Sequence, residues 1–218
     1  MAFREIARGV YMLAPQRGSF SSNIYLLGGK ENVLIDSGLA VDAGRLVSSL
    51  AILGILPKNI AMVLHTHGHC DHIGGSVRFP GSQLWMSRHD GRLVNAKDAS
   101  FTACAMMGQG CYPKIGEFYS GTQVFSINDY RLLAIETPGH TRGSVCFYDA
   151  DAKVLFSGDT LFKGAVGRHD LASGDKQELA GSIALLSGLD AKMLFPGHGQ
   201  ALKEKTGENF ALCNALLD

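Results

Sequence analysis

Short apolar runs and polar turns alternate along the chain, and the spacing of the apolar positions predicts which elements they form. "GVYMLAP", "SNIYLLGG" and "NVLIDSG" are β-rich runs separated by turns of the Gly-Lys-Glu type, the pattern of an antiparallel meander. In "VDAGRLVSSLAILG" the apolar residues Leu46, Val47, Leu50 and Leu53 recur at helical spacing. "AMVLHTH" and "QLWMS" return to strand character. A second series follows: "QVFSI", "YRLLAIETPG" and "SVCFYDADAKVLFSG", the last with a polar hairpin tip. It continues as a helix over "DKQELAGSIALLSGL", the strand "KMLFPG" and a closing helix near "ENFALCNALL". Two similar halves, each a sheet with helices outside, pack most economically as an α/β fold, a four-layer αββα sandwich, in one domain over residues 1–218. Between the halves, residues 89–121 lack a clear period. So long a weakly patterned connection reads either as a lid over a binding site or as an ordinary helical excursion.

Composition narrows the class. Apolar residues make up 46% of the 218, enough for a substantial core. Lys plus Arg number 20 and Asp plus Glu number 20, so no net basic field points to nucleic acid or an anionic membrane. Apolar runs such as "AMVL" fall far short of the ~20 residues of a spanning helix. The start "MAFREIARGVYML" lacks the apolar core and cleavage site of a signal peptide. The five cysteines are odd in number and form no CxxC pair, which fits reduced thiols. The expectation is a cytoplasmic enzyme acting on a small molecule, with no membrane or nucleic-acid partner; nothing here specifies an oligomeric state.

The candidate chemistry begins at "LHTHGHCDHIGG", where His65, His67, His69, Asp71 and His72 fall within eight positions after an apolar strand. Any one histidine is more often a packed or solvent-facing residue than a ligand. Five such side chains together reverse that expectation, because burying them without partners is costly. Residues two apart in extended chain face the same way, roughly 6–7 Å apart. His67 and His69 can therefore reach one metal, with nitrogens about 2 Å from the ion. Asp71 and His72 come where the chain turns toward a helix and point to a different spot, which predicts two adjacent sites. More donors stand beside glycines at the ends of later strands: His140 in "TPGHTRGS", Asp159 in "FSGDTLF" and His198 in "FPGHG". Each alone is usually just a turn. Together they make seven N/O ligands, a set that suits two divalent ions with a bridging carboxylate and a bridging water.

"HTHGHCDH" followed by "PGHT", "SGDTLF" and "PGHG" resembles the metallo-β-lactamase superfamily along the whole chain. "TPGHTRGSVCFY" and "GDTLFKGAVGRHDL" are most similar to its glyoxalase-II-like branch, and with 20 residues after His198 the expectation is a short form without that branch's C-terminal glutathione-binding domain. The resemblance implies that His67, His69 and His140 hold one metal, that Asp71, His72 and His198 hold the other, and that Asp159 bridges them. His65 has no ligand counterpart and reads as a strand residue. Asp36 in "LIDSG" matches an acid that orients the cluster from behind its ligands. The donor set suits zinc, iron or manganese, with zinc the first expectation. Two such cations lower the pKa of a shared water, and Asp71 can hold and orient the resulting nucleophile. The implied reaction is hydrolysis of a thioester such as S-lactoylglutathione. Arg168 matches a basic residue that contacts the substrate's peptide part; its alternative is a surface pair with Asp170. Met106, Met107 and Tyr112, with Phe101, offer an adaptable apolar wall. Three competing readings remain: a lactonase or esterase on the same ligands, a persulfide dioxygenase with one iron at His67, His140 and Asp159, and a non-catalytic metal-binding protein.

Overall fold

The computed structural model describes residues 2–108, 112–120 and 122–217. Cys111 and residue 121, both in the weakly patterned segment, lie outside them. Packing divides the chain into two compact units. The first holds Met1–Met86 and Gly91–Phe118, and the second holds Ser87–Asp90 and Tyr119–Asp218.

The first unit is built on a seven-stranded sheet in sequential order: β1 (Arg4–Ala7), β2 (Val10–Leu13), β3 (Ile24–Leu27), β4 (Asn32–Ile35), β5 (Ile60–Leu64), β6 (Gln83–Ser87) and β7 (Glu117–Tyr119). β1 to β4 form the expected antiparallel meander. β4, β5 and β6 then run parallel, which a tight hairpin cannot connect. Helix α1 (Ala43–Ile52) makes the first crossover. Its Leu46 and Leu50, one turn apart, are buried against Leu26, Leu34 and Val63 of the sheet. Each contributes on the order of 1.5–3 kcal/mol by leaving water. Leu53 follows the last helical turn and is exposed. A short helix α2 (Cys70–Ile73) lies in the second crossover. Beyond β6, the segment without a clear period contains α3 (Arg88–Asn95), the four-residue α4 (Ala99–Thr102) and the edge strand β7.

The second unit has a five-stranded sheet in the order β14-β11-β10-β9-β8. Its strands are β8 (Gln123–Ile127), β9 (Tyr130–Glu136), β10 (Val145–Asp149), β11 (Val154–Gly158) and β14 (Met193–Pro196), with a small ribbon of β12 (Leu161–Phe162) and β13 (Ala165–Val166). Cys146, Tyr148, Leu155 and Leu194 on one face of the sheet pack under helices α5 (Lys176–Ser187) and α6 (Thr206–Ala215) through Leu179, Ile183, Leu186 and Phe210. Asp175 caps α5, accepting from the Glu178 amide at 2.8 Å. Phe156 and Phe195 stack edge to face at 5.3 Å. β10 and β11 are buried at every position, so they read as continuous apolar runs rather than as alternating ones. Among the described residues no helix is long and apolar enough to cross a membrane.

Strand direction decides where chemistry can collect. In the first unit β4 and β5 are parallel, so the turns after them, at Asp36 and at residues 65–72, leave the same end of the sheet. In the second, β11 runs parallel to β14, and β9 shares that direction through its antiparallel neighbour β10. The turns carrying His140, Asp159 and His198 therefore also leave one end of their sheet. The carboxyl ends of parallel strands are where open α/β sheets place their ligands.

Candidate metal centre

In the first unit, the chain bends at Thr66 and His67 after β5 and is extended at His69, which leads into α2, whose first turn holds Asp71 and His72. All four side chains are buried. His67 Nε2 and His69 Nδ1 lie 3.1 Å apart. Two nitrogens bound tetrahedrally at 2.0–2.1 Å to one ion would be about 3.3 Å apart, so this spacing matches the edge of a coordination polyhedron. His72 Nε2 and Asp71 Oδ2 are 3.7 Å apart, too long for a good hydrogen bond and compatible with a shared ion. Asp36, 2% exposed, sits behind them. Its Oδ1 accepts from the Thr66 amide at 2.8 Å, and its Oδ2 accepts from the Thr66 hydroxyl at 2.8 Å and from His72 Nδ1 at 2.7 Å. The carboxylate thereby fixes the proton of His72 on Nδ1 and leaves Nε2 as the donor atom for a metal.

The second unit repeats this logic. His140 follows β9 and donates its Nδ1–H to the Arg168 carbonyl at 2.6 Å, so its Nε2 is the available donor. That atom lies 3.7 Å from Asp159 Oδ2, and His198 Nε2 lies 3.6 Å from the same oxygen. One carboxylate oxygen thus serves two imidazoles at ligand-to-ligand spacing. The chain passes tightly behind it: a Cβ on Gly167 would fall 1.8 Å from the Asp159 carbonyl oxygen and 3.3 Å from His140 Cβ. Only glycine fits there. The family model of the metallo-β-lactamase superfamily matches residues 17–198, the span that carries all seven of these donors.

The chain belongs to the metallo-β-lactamase superfamily.

A probable metallo-hydrolase of Methanocaldococcus jannaschii is 32% identical over 189 residues, which cover 83% of this chain and 89% of that protein. The hydroxyacylglutathione hydrolase GloC of Haemophilus influenzae is 29% identical over 189 residues, 83% and 87% of the two chains. The crystal structure of the B3 metallo-β-lactamase BLEG-1 superposes with a TM-score of 0.79 at 26% identity, covering 93% of this chain and 99% of that one. The α/β sandwich expected from the sequence is therefore the fold, and the protein is a metallo-hydrolase of this superfamily. Its donors, five imidazoles and two carboxylates with no thiolate, fit divalent zinc, iron or manganese. Each unit holds a His/Asp cluster able to contribute to binding such ions.

The metallo-β-lactamase motif begins beside His65, which has a different use. Its Nδ1 is 2.9 Å from the Trp85 carbonyl and its Nε2 is 2.8 Å from the Ser76 hydroxyl, so both ring nitrogens are engaged within the unit. Burial pushes its pKa down, with Asp36 and the Trp85 carbonyl opposing. Arg168 turns its guanidinium onto Asp170 in a two-pronged pair at 2.9 and 2.9 Å, while its backbone carbonyl orients His140. Met106 and Met107 line a cavity of the first unit, and Met107 and Tyr112 both pack on Leu39, Cys70 and Cys104. The hydrogen bond between those two thiols draws Cys104 down to about 6 and pushes Cys70 well above the ordinary thiol range. Cys70, Cys104, Cys146 and Cys213 are all free and buried.

Two supports show their role only in the folded chain. Asp90, fully buried, accepts from the Thr141 hydroxyl at 2.7 Å and sits 2.9 Å from His89 Nδ1. Thr141 is the residue after His140, and its amide donates to Ser144 Oγ at 3.0 Å, so Asp90 braces the turn that carries a candidate ligand. Gly139, at φ +131°, is the second: a Cβ there would lie 2.2 Å from the Leu179 amide of α5. "PGHT" marks this turn, but only the folded chain shows what it rests on.

Proposed function

We propose that this protein hydrolyses thioesters, with His67, His69 and His140 holding one divalent cation, Asp71, His72 and His198 holding a second, and Asp159 bridging them. The observation that carries the metal-hydrolase reading is the matched orientation of His72 and His140. Each commits Nδ1–H to an acceptor, Asp36 and the Arg168 carbonyl respectively, and so offers Nε2 to an ion. The thioester class is supported by "TPGHTRGSVCFY" and "GDTLFKGAVGRHDL" and by the likeness to a hydroxyacylglutathione hydrolase.

When bound, two divalent cations supply a Lewis acid for the carbonyl and a water whose pKa falls from ~15.7 toward neutrality. Asp71 would accept a hydrogen bond from such a water and so orient it toward the thioester carbon. Asp36 holds His72 in the tautomer that keeps this arrangement, and Thr66 holds Asp36. Attack forms the new C–O bond, the C–S bond breaks, and a carboxylic acid and a thiol leave. Zinc is the first candidate for both positions, and buried free thiols suit a reducing compartment such as the cytoplasm.

The test is a side-by-side assay of zinc-loaded protein on acyl thioesters and lactones, with oxygen uptake measured on a persulfide. Thioester cleavage well above lactone cleavage, with no oxygen uptake, is expected. Preferred lactone cleavage would replace the substrate class, and rapid uptake by a protein holding one iron would overturn hydrolysis.

A further inference from the structure

The first unit contains a cavity of about 690 Å³, within the range of small-molecule sites. Four large apolar side chains among the described residues are more than 70% exposed, and three of them line it: Phe20 at 71%, Val41 at 73% and Met106 at 76%. Such a concentration of wet apolar surface marks a place that something else covers. The lining is held in place. Arg45 donates to the Ala14 carbonyl at 2.6 Å, Ser19 donates to Asp42 at 2.6 Å, and the Leu39 amide donates to Ser21 Oγ at 2.9 Å. Gly38, at φ +73°, permits this approach, since a Cβ there would meet Ser21 Oγ at 2.5 Å.

The same wall is tied to the candidate metal ligands of its own unit. The Ser22 amide donates to the Asp71 carbonyl at 3.0 Å, the Ser37 amide donates to the His72 carbonyl at 2.7 Å, and Leu39 packs on Cys70. The cavity therefore abuts the helix that carries Asp71. Its charges are asymmetric in what they do. Asp42 is turned onto Ser19, whereas Arg17 makes no hydrogen bond or ion pair among the described residues. Arg168 differs, since its guanidinium is closed on Asp170.

We infer that this cavity receives the part of the substrate remote from the scissile bond, and that this part is an apolar chain ending in a carboxylate, gripped by Arg17. The inference rests on the thioester reading for the bond that is cut, but not for what the cavity binds. It departs from a glutathione thiol, whose body is polar. The shared chemistry can come from the thiol side or from the acyl side of a thioester.

Binding is read first, by calorimetry of metal-loaded protein with S-methyl thioethers of mercaptopropanoate, mercaptohexanoate and mercaptooctanoate, which cannot be hydrolysed. Affinity should rise about 3- to 4-fold per methylene. Arg17→Met should weaken every member about 10-fold, Arg17→Lys should restore part of that, and the neutral methyl esters should not respond. Val41→Asp should flatten the dependence on chain length. Turnover is read second. S-acetyl mercaptooctanoate carries the chain on the thiol, and the monothioester of a dicarboxylic acid carries it on the acyl group; Arg17→Met should raise KM for one of the two with kcat little changed. Chain-length dependence with no thioester cleavage would refute the thioester reading and support the cavity. Equal binding of acids and esters by wild type, or indifference of both binding and KM to Arg17→Met, would overturn the inference.

Discussion

Asp36→Asn separates the charge of this residue from its backbone. Asp36 has φ +56°, a left-handed conformation that Asn enters about as readily as Asp, so strain does not contribute. The amide oxygen can still accept from the Thr66 amide. The amide nitrogen then faces His72 Nδ1, where the carboxylate accepted a hydrogen bond at 2.7 Å. His72 must move its proton to Nε2, the atom it offers to an ion, or leave two donors opposed. Loss of such an orienting partner weakens metal binding roughly 10- to 100-fold, which corresponds to about 1.4–2.8 kcal/mol. Asp36 is 2% exposed, so solvent does not screen the loss, and one charge-assisted bond removed from the metal-free protein costs about 1.5–3 kcal/mol of folding stability. Competition for zinc with a chromogenic chelator reads the first quantity, and urea unfolding of stripped protein reads the second. Asp36→Ala should lose a further ~1–2 kcal/mol, because Ala tolerates the left-handed backbone poorly. An Asn variant that holds zinc within about twofold of wild type would refute the orienting role.

Three further outcomes follow from the packing. Gly167→Ala should lower the melting temperature and reduce metal content together, since its Cβ would collide with the Asp159 carbonyl; loss of neither would show that the 165–168 segment yields freely. Thr141→Val leaves the buried Asp90 short of a donor, so unfolding by denaturant should show a loss of about 1–3 kcal/mol; an unchanged midpoint would mean that the turn does not lean on Asp90. His65 is buried with a lowered pKa, so the unfolded chain takes up its proton at the ordinary 6.5 before the folded one does. Stability therefore declines as pH falls below 6.5, and His65→Gln should show a shallower decline in metal-stripped protein; parallel profiles would remove His65 as a contributor.

Strands and helices with a strong apolar period were legible in the sequence. β2 to β4, β6, β8 to β11, β14, α1 and α5 fall within the stretches that the pattern marks, and β5 and α6 overlap theirs but begin earlier, at Ile60 and Thr206. β1 was not, because only Ile6 of "REIA" is buried. β7 is three residues long, and β12 and β13 have two each, too short for any period to register. The seven candidate ligands were legible for two reasons: four of them crowd into residues 67–72, and His140, Asp159 and His198 each stand beside a glycine where an apolar strand ends. Their supports differ. Asp36 was legible only through the family resemblance of "LIDSG", whereas Asp90 and Gly167 act through contacts with residues 51 and 8 positions away in the chain, which no local pattern encodes. Arg168 shows the same limit, since its place in the site is set by a backbone carbonyl that any residue would supply.

The central claim is a dinuclear hydrolytic centre, and counting its ions tests it most directly. Metal-stripped protein titrated with zinc in a calorimeter should take up two equivalents per chain. Saturation at a single equivalent, or no uptake by folded protein, would contradict the account.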